Sequence, residues 1–200
     1  FHSMLSEAEP LVTYRHAPIE FAEVASMSME LLAHPFLDEF YSAEDADRAR
    51  REHLEGIVAT LSWIATIDAF QHWIYTHPEH TRDQRDVYWL ELHARFGPAV
   101  DWSGFEAQRG KFWQKQLHLF GVPFYYIEYG IAQLGALQLW SQYRRDPGRA
   151  LDNYRRAMTL GGSRPLPELF AAAEIQFDFG PGMMELLMSD VQAALAELPE

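Results

Sequence analysis

No stretch of this chain alternates apolar and polar residues cleanly enough to read as a half-buried strand. Proline, glycine and capping residues instead divide it into apolar runs of helical length. That punctuation constrains the fold more than any other feature. The first helix is expected over Ile19–Leu32, with Pro35 forcing a break or kink nearby. Ser42 resembles an N-cap, followed by Glu44, Asp45 and Asp47, and opens the long run "AEDADRARREHLEGIVATLSWIATIDAFQHWIYTH", which Pro78 ends. Its first half is charged and its second almost wholly apolar, so it should pass from solvent into a core. Thr81 caps "RDQRDVYWLELHARF", which stops at Gly97-Pro98. The segment "DWSGFEAQRGKFWQKQLHLFG" has loop character, with a short helix from Phe105. A strong helix is predicted from Pro123, at its first turn, through "FYYIEYGIAQLGALQLWSQYRR" to Asp146-Pro147-Gly148. "RALDNYRRAMTL", "LPELFAAAEI" and "GMMELLMSDVQAALAEL" complete the set. With no fixed-length repeat and no Ser/Gly-rich linker, the reading is all-α, a single helical domain over 1–200.

Composition narrows the function classes. An apolar share of 48%, with six Trp, nine Tyr and thirteen Phe, supports a packed core. Sixteen Lys+Arg against 29 Asp+Glu give a net charge of −13, which argues against nucleic-acid or anionic-membrane binding. No run of about eighteen uncharged apolar residues is present to span a bilayer. The chain has no cysteine, so disulfides and thiol nucleophiles are out, a zinc site must use His and carboxylates, and a cytoplasmic location is expected. The opening "FHSML" lacks an initiator Met, so the chain is expected to be cut from something longer.

The stretch "IEFAEVASMSMELL" poses a chemical problem. On a helix, Glu23 lies roughly 60° from Glu20 and Glu30 about 20° beyond, a narrow stripe among apolar neighbours. An unpaired buried carboxylate is costly, so these groups should pair, protonate or hold a cation; the alternative is a surface stripe on a helix that packs elsewhere. Of nine histidines, His34, His53, His77 and His80 read as surface residues. Asp68 and His72, four apart on one face, make either a carboxylate–imidazole pair or two metal ligands. In "HLFGVPFYYIEY", His118 precedes a helix whose first turns carry Tyr125, Tyr126 and Tyr129, spaced so that two phenols can share one space. Such donors can stabilise an oxyanion, although aromatic-rich helices are commonly core. There is no G-x-S-x-G, no phosphate loop, and no Glu-x-x-His as helical di-iron sites require.

In order along the chain, "FHSMLS", "EFAEVAS", the "WSG" and "GGSRPLPEL" neighbourhoods and "HLFGVPFYYIEYGIAQLGALQLW" resemble the oligoendopeptidase F branch of the thimet-oligopeptidase group of zinc metallopeptidases. The resemblance implies the helical C-terminal part of a zincin-like oligopeptidase catalytic domain, with Phe1-His2-Ser3 as the tail of an H-E-x-G-H-x-F-H-S string. Two histidine ligands and a glutamate general base would then precede residue 1. Glu23 matches the third zinc ligand, while Glu20 and Glu30 would orient ligand side chains from behind. His118 and the tyrosines match a segment that binds substrate backbone and stabilises the oxyanion, with Tyr129 the first choice and Tyr125 or Tyr126 the second. The implied substrates are short peptides and the implied cofactor is one Zn2+ per full-length protein. Alone, this fragment should bind zinc weakly and hydrolyse little. Two other readings remain at this point: a non-catalytic helical peptide- or partner-binding module, and a carboxylate-bridged metal protein.

Overall fold

The computed structural model describes residues 2–199. Phe1, the first residue of the expected Phe1-His2-Ser3 tail, lies outside them. Ten α-helices follow one another among the described residues: α1 His2–Leu5, α2 Ile19–Leu32, α3 Ala43–Thr76, α4 Arg82–Phe96, α5 Glu106–Gly110, α6 His118–Gly121, α7 Ile127–Arg145, α8 Pro147–Met158, α9 Leu166–Ala172 and α10 Pro181–Ala196. Three 3-10 turns, Val12–Arg15, His34–Glu39 and Phe112–Lys115, sit between them, and no described residue is in a strand. The all-α reading is therefore what the structure has.

Three of the helix starts are set by side-chain caps. Ser42 Oγ accepts the Asp45 N–H at 3.2 Å, satisfying one of the free donors at the start of α3. Thr81 and Gln84 form a reciprocal capping box on α4. Asp146 caps α8 through the Arg149 N–H, with Pro147 supplying a first turn that needs no donor. Among the described residues, no helix is long and apolar enough to cross a membrane.

One predicted boundary is corrected. α7 starts at Ile127, not Pro123, because Phe124 takes a left-handed conformation at φ 62° that no α-helix can continue through. The cost of that conformation, about 1–2 kcal/mol for an L residue, is offset by ring contacts of Phe124 with His72 and Tyr75, each at 5.0 Å between centroids. His118, expected to stand before the helix, instead opens a one-turn helix of its own.

The chain forms two compact units, one of residues 1–55 with 131–200 and the other of residues 56–130; the divisions fall inside α3 and inside α7. In the first unit α2 buries Phe21, Val24, Ala25, Leu31 and Leu32, a stripe at helical spacing. Of these, Phe21 and Val24 pack with Ala132 of α7, Ala157 of α8 and Leu169 and Phe170 of α9, and Ala25 and Leu32 with Leu139 of α7 and Tyr154 and Met158 of α8. The Tyr154 hydroxyl donates to the Ala25 carbonyl at 2.8 Å. Burial of this phenol, with a single acceptor, pushes its pKa up to about 12. Gly161 (φ 51°) and Gly162 let the turn after α8 approach residues 14–16, where the Gly162 N–H donates to Tyr14 O at 2.7 Å. A Cβ at Gly162 would stand 2.2 Å from His16 O, so only glycine permits that approach. The second unit centres on Ile67, Phe70, Trp89, Leu92 and Trp113.

Candidate functional site

Each predicted site residue has a definite place, and they divide between the two units. In the first, Glu20 and Glu23 are half-buried on α2 and Glu30 is exposed. Glu23 and Glu30 sit on the side of α2 away from its buried stripe, so the burial expected from their apolar neighbours applies to them only in part. Glu23 makes no hydrogen bond or ion pair among the described residues. Glu30 pairs with His53, its Oε2 lying 3.4 Å from Nε2.

That pairing leads to a second correction. His34, read from its neighbouring proline as a surface residue, is buried, and its Nε2 lies 2.7 Å from His53 Nδ1. The 3-10 turn after α2 folds His34 inward, a placement that Pro35 alone does not reveal. Burial first, then the His53 and Arg50 charges, bring the His34 pKa down to about 4. Arg50, itself paired with Asp38 and Asp47, donates to the His34 backbone carbonyl at 3.0 Å. His53 is only half-buried, and its pKa is also lowered, by burial against the opposing pull of Glu30.

In the second unit the structure brings His118, Tyr125, Tyr126 and Tyr129 into one aromatic group. The imidazole is stacked on Tyr125 (5.8 Å, 22°) and lies edge-on to Tyr126 (5.0 Å) and Tyr129 (6.0 Å). Tyr129 in turn contacts Tyr125 and Tyr126, each at 5.5 Å. Only Tyr129 stands on α7. Tyr125 and Tyr126 reach the cluster from the left-handed turn at Phe124, so helical spacing alone does not account for their convergence. The Tyr126 pKa is raised, mainly by burial, opposed by a hydrogen bond from Trp63 and assisted by Tyr129; the phenol keeps its proton and stays a donor at neutral pH.

Behind this cluster lie two residues that sequence reasoning missed. Gln116 bridges Trp63 and His118: the indole Nε1 donates to Gln116 Oε1 at 3.1 Å, and Gln116 Nε2 stands 2.6 Å from His118 Nδ1. No local signal marks the pair, because Trp63 and Gln116 are far apart in sequence. Beside them opens a cavity of about 640 Å³, lined in part by Trp63, His93, Phe96, Trp102, Phe112 and Tyr126. Tyr126 thus belongs to both the cluster and the cavity wall. His93 is buried, its Nδ1 accepts from Arg109 Nε at 3.3 Å, and its pKa is lowered by burial and by the Arg109 and Lys115 charges, so it is neutral. The Trp102 indole nitrogen is buried and has no acceptor among the described residues. Elsewhere in this unit, Asp68 Oδ2 lies 3.5 Å from His72 Nε2 on one face of α3, and burial raises the Asp68 pKa against the opposing pull of His72.

Among the described residues, no three His, Asp or Glu side chains converge to hold an ion. Glu23, half-buried and unpaired, has the chemistry of one ligand and no more.

Residues 1–187 match the sequence model of peptidase family M3. Three solved structures are similar over 98% of this chain. A PZ peptidase A with an inhibitor is 30% identical, with a TM-score of 0.89. A structure described as an oligoendopeptidase F is 32% identical, also at 0.89. Another so described, from Bacillus anthracis str. Ames, is 27% identical at 0.80. The match covers 35%, 35% and 32% of those chains respectively, so the present chain spans about a third of their length. No curated protein sequence is significantly similar to it.

Proposed function

The chain belongs to peptidase family M3, and on that premise we propose that it is the C-terminal part of the catalytic domain of a zinc-dependent endopeptidase that hydrolyses short peptides, in the manner of oligoendopeptidase F. The observation that carries the reading is the convergence of His118 with Tyr125, Tyr126 and Tyr129 beside an aromatic cavity. A histidine among three phenols offers a set of hydrogen-bond donors, the chemistry an acyl-transfer site needs where negative charge develops on a carbonyl oxygen.

His118 and Tyr129 donate to the carbonyl of the scissile peptide and strengthen that interaction as the oxygen gains charge. Tyr126 and Tyr125 position the neighbouring peptide backbone. The cavity walls receive apolar side chains of the substrate. Glu23 supplies one carboxylate ligand, while the two histidine ligands and the glutamate general base lie outside this chain, as do Glu23's neighbours in the coordination sphere. Zinc, when bound, acts as a Lewis acid that polarises the carbonyl and acidifies a water. Glu20, one turn before Glu23, accepts from ligand side chains or serves as a hydrogen-bonded structural acid, and Glu30 acts with His53 at the far end of the same stripe. Without the remaining ligands the 200 residues bind zinc weakly and are inactive alone. The protein carrying them works in the cytoplasm.

The deciding experiment is chelator-sensitive cleavage of an internally quenched peptide by the whole protein, beside its Glu23→Gln variant. Loss of bound zinc and activity in Glu23→Gln, with a parent that cuts, supports the assignment. A parent that is inert with zinc supplied would favour a helical peptide-binding module instead.

A further inference from the structure

Three side chains of the second unit form a hydrogen-bonded line ending on the His118 ring: Trp63 Nε1, then Gln116 Oε1 at 3.1 Å, then from Gln116 Nε2 to His118 Nδ1 at 2.6 Å. The indole N–H can only donate. The Gln116 atom that faces it is therefore the carbonyl oxygen, which leaves the amide NH2, also only a donor, facing His118. A donor aimed at Nδ1 requires a lone pair there, and a neutral imidazole with its lone pair on Nδ1 carries its proton on Nε2. We propose that Trp63 and Gln116 are positioning residues that lock His118 in the Nε2–H tautomer, so that the ring presents a hydrogen-bond donor rather than an acceptor to the substrate carbonyl.

The surroundings hold each link in place. Trp63 is set edge-on against Trp89 (5.7 Å) and Phe112 (5.8 Å), which fixes the direction of its N–H. Gln116 is buried, and its backbone N–H is bound to Trp113 O at 3.0 Å. A flipped amide would set its NH2 against the indole N–H, losing that bond, and would leave His118 a partner only if its proton moved to Nδ1. The His118 ring plane is held between Tyr125 and Tyr126, and its Nε2 takes no hydrogen bond among the described residues, leaving that donor free. The tautomer follows from these contacts alone. Its use as a donor to substrate rests on the peptidase reading above.

The test uses the whole protein labelled with [15N]histidine, with the His118 ring nitrogens identified in long-range 15N–1H spectra by their loss in His118→Gln. The expected parent spectrum has Nε2 protonated and Nδ1 bare; a proton on Nδ1 overturns the proposal. Gln116→Glu replaces the donor by a carboxylate that can only accept, so Nδ1 gains a proton. At pH 9, where an imidazole paired with a carboxylate holds a single proton, kcat on a quenched peptide then falls about 10²-fold with KM little changed. An unchanged Nδ1, or a protonated Nδ1 with kcat intact, overturns it. Trp63→Phe frees the amide to turn and should add a second His118 form protonated on Nδ1; a single unchanged form refutes the role of Trp63. A parent that cleaves no peptide would sink the peptidase reading instead, and the ring-nitrogen signals would still decide the tautomer.

Discussion

Mild acid should destabilise the first unit through His34, and the surroundings of that ring set the size of the effect. His34 is 9% exposed, and burial, then His53 and Arg50, bring its pKa from 6.5 to about 4. A histidine with a depressed folded-state pKa is neutral in the fold and charges more readily once unfolded. Its contribution to stability is therefore complete above pH 6.5 and is lost as pH falls towards 4. At about 1.4 kcal/mol per pKa unit, the loss is about 2 kcal/mol by pH 5 and about 3 kcal/mol by pH 4. The groups facing the ring act in the same sense. Arg50 already brings a positive charge, which Asp38 and Asp47 neutralise only in part, and Glu30 favours a charged His53 rather than a charged His34. Urea unfolding of parent and His34→Gln, followed by circular dichroism at pH 7, 6 and 5, isolates this residue because the other histidines are common to both. The parent should lose about 2 kcal/mol more than the variant between pH 7 and pH 5. Parallel pH profiles would refute the argument that a buried neutral His34 is held by its surroundings.

Tyr129→Phe in the whole protein should lower kcat by on the order of 10²–10³ with little change in KM, because one donor to a developing charge is removed; a change under about tenfold would assign that role to another phenol. Gly135→Ala places a Cβ 2.8 Å from Val24 Cγ2 and 3.1 Å from the Phe170 ring, so it should cost about 1–3 kcal/mol in thermal unfolding by forcing α2 from α7; a neutral result would mean the packing there yields easily. Thr81→Ala removes half of a capping box whose bonds are 2.8 and 3.2 Å, and should destabilise by about 1 kcal/mol; denaturant melts of the two proteins read the difference directly.

Helix ends were the most legible part of the fold, because the signals that set them are local. Ile19–Leu32 ended at the break before Pro35, and Ser42 and Thr81 marked starts that the structure uses as caps; Asp146-Pro147-Gly148 was read as the end of one helix, and the structure also uses Asp146 to cap the next, α8. The amino end of α7 was misplaced because Pro123 is a good first-turn residue, while the left-handed Phe124 that actually stops the helix is tolerable only through His72 and Tyr75. His34 was misread for a related cause: a histidine before proline carries no mark of whether its turn folds inward.

For the candidate site, residue types were readable and their arrangement was not. The string from His118 to Tyr129 displayed its imidazole and phenols as a cluster, and Glu23 stood out as a carboxylate among apolar neighbours. By itself, then, the sequence determined an all-helical chain, its acidic charge and a short inventory of groups able to do chemistry. Each of these depends on residues within a turn or two of one another or on composition. Tertiary structure alone decided that Tyr125 and Tyr126 turn toward His118 and that His34 meets His53. It also decided that a tryptophan on α3 orients the amide behind the imidazole. Trp63 lies 53 residues from Gln116 and His34 lies 19 from His53, contacts formed only when the helices have packed, and the short step from His118 to Tyr125 and Tyr126 closes only through the left-handed turn at Phe124.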